Sequence, residues 1–76
     1  MKLLIIGAGG HGQVVKEVAE ALNIYEQIDF VDDHAEGTVG KIEDLKILRV
    51  QYDTAFVGIG NNRVRGEIYT KLKEYA

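Results

Sequence analysis

The sequence predicts a small α/β domain: a parallel sheet of three to four strands with helices on both faces. Three observations predict it. Leu3 to Ile6 and Ala55 to Val57 are continuous apolar runs that end at glycines, the pattern of strands covered on both faces. After each run, apolar residues recur at intervals of three and four, the helical period. A strand, a helix and a second strand fit into roughly the first 30 residues, the length of one βαβ unit, whose crossover is right-handed almost without exception.

The opening segment Met1 to Ile6 begins like a signal peptide, but glycines at 7, 9, 10 and 12 interrupt the apolar run at once, so it reads as a buried strand. From His11 to Leu22 the residues Val14, Val15, Val18, Ala19 and Leu22 share one helical face, with Lys16, Glu17 and Glu20 opposite, and the helix ends near Asn23. Ile28, Phe30 and Val31 form a second strand that runs into Asp32 and Asp33. His34 to Gly40, with two glycines and little apolar content, is a loop. Between Ile42 and Val50 two patterns compete. Ile42, Leu45 and Leu48 suit a short helix, Lys46 to Val50 alternates like an edge strand, and the short helix is the reading adopted. Ala55, Phe56, Val57 and Ile59 make the third core strand, placed beside the first. From Asn62 onward Val64, Ile68, Leu72 and Tyr75 mark a closing helix.

A chain of 76 residues makes one domain, and a domain this small buries only roughly 60% of the surface its unfolded chain exposes. With 46% hydrophobic and 28% charged residues it is apolar enough to fold. The net charge of -3 leaves no basic field for a nucleic acid or an anionic membrane, so any anion must be held locally. The absence of cysteine excludes disulfides, thiolate zinc sites and thiol nucleophiles. No apolar stretch approaches the roughly 20 residues of a membrane span. The expectation is a soluble, cytoplasmic protein with no nucleic-acid or membrane partner and no metal.

Gly7-Ala8-Gly9-Gly10-His11-Gly12 fits the spacing G-x-G-x-x-G and lies where its mechanism requires, between a strand and a helix, which makes the domain Rossmann-like. The first glycine permits the tight turn, the second lets a diphosphate approach the backbone, and the third lets helix and strand pack closely. Free backbone N–H groups and the helix dipole then favour an anion. The plain alternative is a glycine-rich turn that only packs. Asp32 and Asp33 follow Gly12 by 20 and 21 residues, where a strand-end acid can accept hydrogen bonds from ribose hydroxyls. Alone, that pattern suggests a nicotinamide dinucleotide. A full dinucleotide spans two such halves, however, and this chain supplies about one, which suits a mononucleotide or nucleoside diphosphate. For Asp33 a solvated loop start is an equal alternative.

Gly58-Ile59-Gly60-Asn61-Asn62 repeats the strand-to-helix turn, so both turns are expected to line one crevice at the carboxyl ends of the strands. One of Asn61 and Asn62 is an N-cap on this reading. Arg63 and Arg65 fall in the first turn of the last helix, where the dipole disfavours cations. A ligand phosphate, the pair Asp32 and Asp33, or plain solvation are the candidates to compensate them. His11 stands at a helix N-terminus, able to donate to a phosphate or sugar or simply exposed, and His34 is a solvated loop residue.

The run Gly-Ala-Gly-Gly-His-Gly after an N-terminal strand, then Phe30-Val31-Asp32-Asp33, then Val57-Gly58-Ile59-Gly60-Asn61-Asn62 with an arginine soon after, resembles the N-terminal domain of bacterial sugar acetyltransferases. These hexapeptide-repeat transferases include the sialic-acid O-acetyltransferase and the UDP-4-amino-sugar N-acetyltransferase of the bacillosamine type. The likeness covers nearly the whole chain, and Gly10-His11-Gly12 is its most specific part. It implies that residues 1–76 are a nucleotide-sugar-binding domain preceding a left-handed β-helix that binds acetyl-CoA, forms a homotrimer and supplies the catalytic histidine. By position it implies nucleotide contacts from Gly7, Ala8, Gly9, Gly10, His11 and Gly12, from Asp32 and Asp33, and from Gly60, Asn61 and Asn62, with Arg65 matching the arginine usual in that helix. No cofactor is expected on this domain itself and no catalytic residue within it. The segment from Thr38 to Val50 departs from the family pattern in being shorter and in lacking a clear small strand. Three other readings stay open: an NAD-binding half-domain of an oxidoreductase, a CoA- or regulatory-nucleotide-binding module, and a scaffold that binds nothing. An acid side chain folded into the phosphate position is the sign that would favour the scaffold.

Overall fold

Three parallel strands carry the fold: β1 (Lys2–Ile6), β2 (Gln27–Val31) and β3 (Thr54–Val57), in the order β2-β1-β3. The computed structural model describes residues 1–75, and the Tyr75 side chain, expected on the closing helix, lies outside the described residues. In register, Leu3 stands beside Ile28 on one side and Thr54 on the other, and Ile6 beside Val31 and Val57. β1 is therefore the central strand. Leu4, Ile5 and Ile6 are fully buried, as an unbroken apolar run requires when both faces are covered.

Alternation along β1 divides the core in two. Leu3 and Ile5 meet Ala19 and Val15 of α1 (Gly10–Leu22) together with Tyr25, Ile28 and Phe30. Leu4 and Ile6 point the other way, into a larger cluster with Val31, Val57, Leu45 and Ile68, edged by Ile42, Leu48, Tyr52 and Leu72. That second face is covered by α2 (Leu45–Leu48) and α3 (Asn62–Tyr75). One helix lies on one face and two on the other, as expected. α1 stops at Asn23, which takes the left-handed conformation (φ 54°) and donates its N–H to the Glu20 carbonyl at 3.1 Å.

The ambiguous stretch is helical: a 3₁₀ turn at Ile42–Asp44, α2, and a second 3₁₀ turn at Arg49–Gln51. Leu45 at its centre is fully buried, whereas Ile47 and Val50, which suggested an alternating strand, face solvent. Just before it the chain brushes the sheet. Val39 donates its N–H to the Phe30 carbonyl at 2.9 Å, and Val31 bridges Gly40 in parallel, so the loop from residue 34 closes along the outer side of β2.

One expectation fails in part. Val14, Val18 and Leu22 belong to the apolar face of α1, yet they are 57%, 57% and 58% exposed. The reason is the width of the sheet. α1 leans toward β2, where Lys16 Nζ sits 5.9 Å from the Phe30 ring centroid, and beyond β3 there is no strand among the described residues for the other half of the apolar face to cover.

Candidate functional site

The chain leaves β1 toward α1 and β2 on one side, and β3 lies on the other, so strand order reverses at the carboxyl end of β1. This switch point is where open α/β sheets hold ligands. Gly7 turns the chain there with φ 105°, a region that disfavours any side chain, and its N–H is tied to the Val31 carbonyl at 2.7 Å.

The glycines of the two turns divide into two kinds. Gly7, Gly12 and Gly58 pack against one another: a Cβ on Gly12 would collide with the Gly7 carbonyl oxygen, and a Cβ on Gly58 would stand 2.8 Å from the Gly12 Cα. A Cβ on Gly7 would also meet Ile59 Cγ1 at 2.7 Å. The two strand-to-helix turns thus touch, and Gly58 and Ile59, expected in the second of those turns, form the floor on which Gly7 and Gly12 rest. Gly9, Gly10 and Gly60 are different. Each would point a Cβ into open space, and none has a positive φ.

Gly9 is the N-cap of α1 and supplies no side-chain cap. The first regular bond runs from the Gln13 N–H to the Gly9 carbonyl at 3.0 Å. The N–H groups of Gly10, His11 and Gly12 therefore precede the helical ladder, at the positive end of the dipole. Exposed His11 stands among them. Gln13 also reaches back, its Nε2 donating to the Ala8 carbonyl at 3.2 Å. Nothing in the sequence pattern marked this residue, because its partner lies across the turn.

Asp32 is the most heavily engaged acid. Its Oδ2 accepts the Ala8 N–H at 2.8 Å, and its Oδ1 accepts those of His34 and Ala35 at 2.8 and 3.0 Å. The Ala8 bond first, then the other two, hold the Asp32 carboxyl below the ordinary value of 3.8, partly opposed by burial. Asp33 turns elsewhere, accepting the Ile42 N–H at 3.0 Å at the start of the 42–51 segment. The two acids expected together at a ribose thus serve different parts of the fold. Asp32 faces the glycine-rich turn, and Asp33 anchors the next connection.

At the turn after β3, Asn61 is the N-cap. Its Oδ1 accepts the N–H groups of Arg63 and Val64 at 3.0 and 3.1 Å. Asn62 Oδ1 accepts from the Arg65 guanidinium. Arg63 pairs along the helix with Glu67 at 3.5 Å, both largely exposed. Neither arginine is compensated by Asp32 or Asp33, which corrects one of the candidates; each finds its partner within its own helix.

At the turns Gly9, Gly10 and Gly60 are exposed, with open space beside each. Three clefts elsewhere, of about 400, 400 and 350 Å³, are lined by none of the residues from Gly7 to Gly12. Among the described residues no group of His, Asp and Glu could hold a metal ion, and no helix is long and apolar enough to cross a membrane.

A strand, a glycine-rich turn over a helix N-terminus and a strand-end aspartate clasping that turn are shared by many nucleotide-binding domains, so kinship decides among them. The family model of the PglD N-terminal domain matches residues 2–72. The chain belongs to that family. Two solved structures are similar over this PglD-type domain: the acetyltransferase domain of PglB from Neisseria gonorrhoeae FA1090, alone and in complex with acetyl coenzyme A. Each is 38% identical with a TM-score of 0.86, across 99% of this chain. The PglD-type domain spans 40% of the length of those chains. The resemblance to N-terminal domains of bacillosamine-type sugar acetyltransferases therefore holds, and membership takes the place of the oxidoreductase reading.

Proposed function

We propose that this domain binds the nucleoside diphosphate of a nucleotide-activated sugar, a UDP-sugar or a close analogue, and presents the sugar's amine or hydroxyl to acetyl-CoA held by another domain. The observation that carries the reading is the openness of Gly9 and Gly10. Neither backbone conformation nor packing demands glycine there, so what a side chain would obstruct is the approach of a ligand to the N–H groups at the start of α1. The diphosphate sits over Gly9, Gly10 and His11. Asp32, held toward the turn, offers its remaining lone pair to a ribose hydroxyl, and Gly60, Asn62 and Arg65 border the other side.

In this reading the domain contributes position rather than chemistry: it fixes the substrate so that acetyl transfer becomes an encounter of held groups. On this reading acetyl-CoA, the reacting base and trimer formation belong to another part of a longer cytoplasmic protein; that a relative similar to this domain is an acetyltransferase solved in complex with acetyl coenzyme A supports acetyl-CoA as the donor. A scaffold that binds nothing is the second reading, favoured by one contact, since Asp32 occupies the Ala8 N–H that a phosphate could use. Calorimetric titration with UDP separates the two. The substrate domain binds UDP, and Gly9→Ala weakens that binding by about tenfold, roughly 1.4 kcal/mol, by blocking close approach. Absence of heat in both proteins supports the scaffold.

A further inference from the structure

Ala8 is held by two side chains at once. Its N–H donates to Asp32 Oδ2 at 2.8 Å, and its carbonyl accepts from Gln13 Nε2 at 3.2 Å. The first bond ties the glycine-rich turn to the end of β2, and the second ties it to the opening turn of α1. Capping does not account for the second bond. A helix N-terminus leaves backbone N–H groups without partners, and a cap supplies them with an acceptor. Gln13 brings a donor instead, and brings it to a carbonyl that precedes the N-cap Gly9 and lies outside the helix. Gln13 is also exposed, so burial does not force the contact.

What the contact fixes is a peptide plane. The Ala8 carbonyl and the Gly9 N–H belong to one trans peptide group, in which the two point in opposite directions. Holding the carbonyl toward Gln13 turns the Gly9 N–H away from it. Among the described residues no acceptor takes that N–H. Gly9 is extended, with φ -77° and ψ -166°, and a Cβ there would meet nothing within 4 Å. The openness that admits a ligand therefore leaves this plane without steric support, because glycine rotates at little cost. A reversed plane presents a carbonyl oxygen, rather than an N–H, to an anion.

We infer that Gln13 is a positioning residue for the diphosphate: its Nε2 holds the Ala8–Gly9 peptide in the orientation that offers the Gly9 N–H to a phosphate oxygen. This role rests on the nucleotide reading above and is exerted through the backbone. Asp32 fixes the peptide before Ala8 and Gln13 the peptide after it, so two side chains supply the stiffness that the glycines lack.

The test is titration of the 76-residue chain and two variants with UDP, in about 1 M salt, where an added charge is screened within about 3 Å. Gln13→Met keeps the length of the side chain and removes the donor; Gln13→Lys restores a donor. Gln13→Met is expected to bind UDP about fivefold more weakly, the worth of one ordinary hydrogen bond, and Gln13→Lys to recover most of that loss. The urea midpoint of Gln13→Met stays near that of the parent chain. In its ligand-free NMR spectrum the Gly9 amide signal moves, because the plane is released. Equal affinity of Gln13→Met and the parent overturns the role, as do an unmoved Gly9 amide, equal losses in both variants, or a loss matched by a fall in the urea midpoint. A parent chain that does not bind UDP is a separate result, which removes the nucleotide reading itself and this role with it.

Discussion

The Asp32 carboxylate accepts the Ala8 amide at 2.8 Å across 24 positions of sequence, joining the end of β2 to the glycine-rich turn. With the bonds from His34 and Ala35, one side chain satisfies three backbone donors. Asp32→Ala leaves all three without their acceptor and is expected to destabilise the domain by about 1–3 kcal/mol in urea unfolding. Asp32→Asn, which keeps one good acceptor, costs less.

The same bonds give a pH dependence with a definite sign. They lower the folded-state value of Asp32 beneath 3.8, its value in the unfolded chain. The stabilisation is therefore complete above 3.8 and is lost as pH falls through the lower, folded value. Urea midpoints measured from neutral pH downward fall in that acid window, and Asp32→Asn flattens the fall.

Gly12 and Gly9 sit three residues apart and respond oppositely to the same substitution. Gly12→Ala forces a methyl into the Gly7 carbonyl, at a contact shared with Gly58, and costs on the order of 3 kcal/mol. Gly9→Ala meets open space in an extended conformation and leaves the thermal midpoint nearly unchanged. Equal losses in the two variants would contradict the division of glycines into packing and approach positions.

Tyr52 is pushed up to about 12 by burial and by its hydrogen bond to Asp29. Its folded value lies above the ordinary 10.0, so its contribution to stability is whole below 10.0 and disappears as pH rises through about 12. Ultraviolet titration of the phenols shows a late-ionising step, and Tyr52→Phe removes it.

Local features made much of the fold legible. The apolar run of β1, the turn from Gly7 to Gly12 and the helical spacing of Val64, Ile68 and Leu72 each carry their own signal over a few residues. That one of Asn61 and Asn62 caps α3 is readable for the same reason, and the structure gives the role to Asn61. Contacts across the fold were not. Asp32 and Ala8 meet only after βαβ closure, and nothing local distinguishes an acid awaiting a ribose from one bound to a turn. Asp33 likewise reached Ile42 through a loop whose path no pattern specifies. Periodicity placed Val14, Val18 and Leu22 on an apolar face without revealing that the described sheet ends at β3, so their burial was overestimated.

The most direct test of nucleotide binding is an NMR titration of the 76-residue domain with UDP, beside NAD and CoA. UDP is expected to shift the amides of Gly9, Gly10 and His11 together with Asp32, with no competition from NAD or CoA. Selective binding of NAD, or no response of those amides to UDP at about millimolar concentration, an affinity near roughly -4 kcal/mol, would contradict a nucleoside-diphosphate site on this turn.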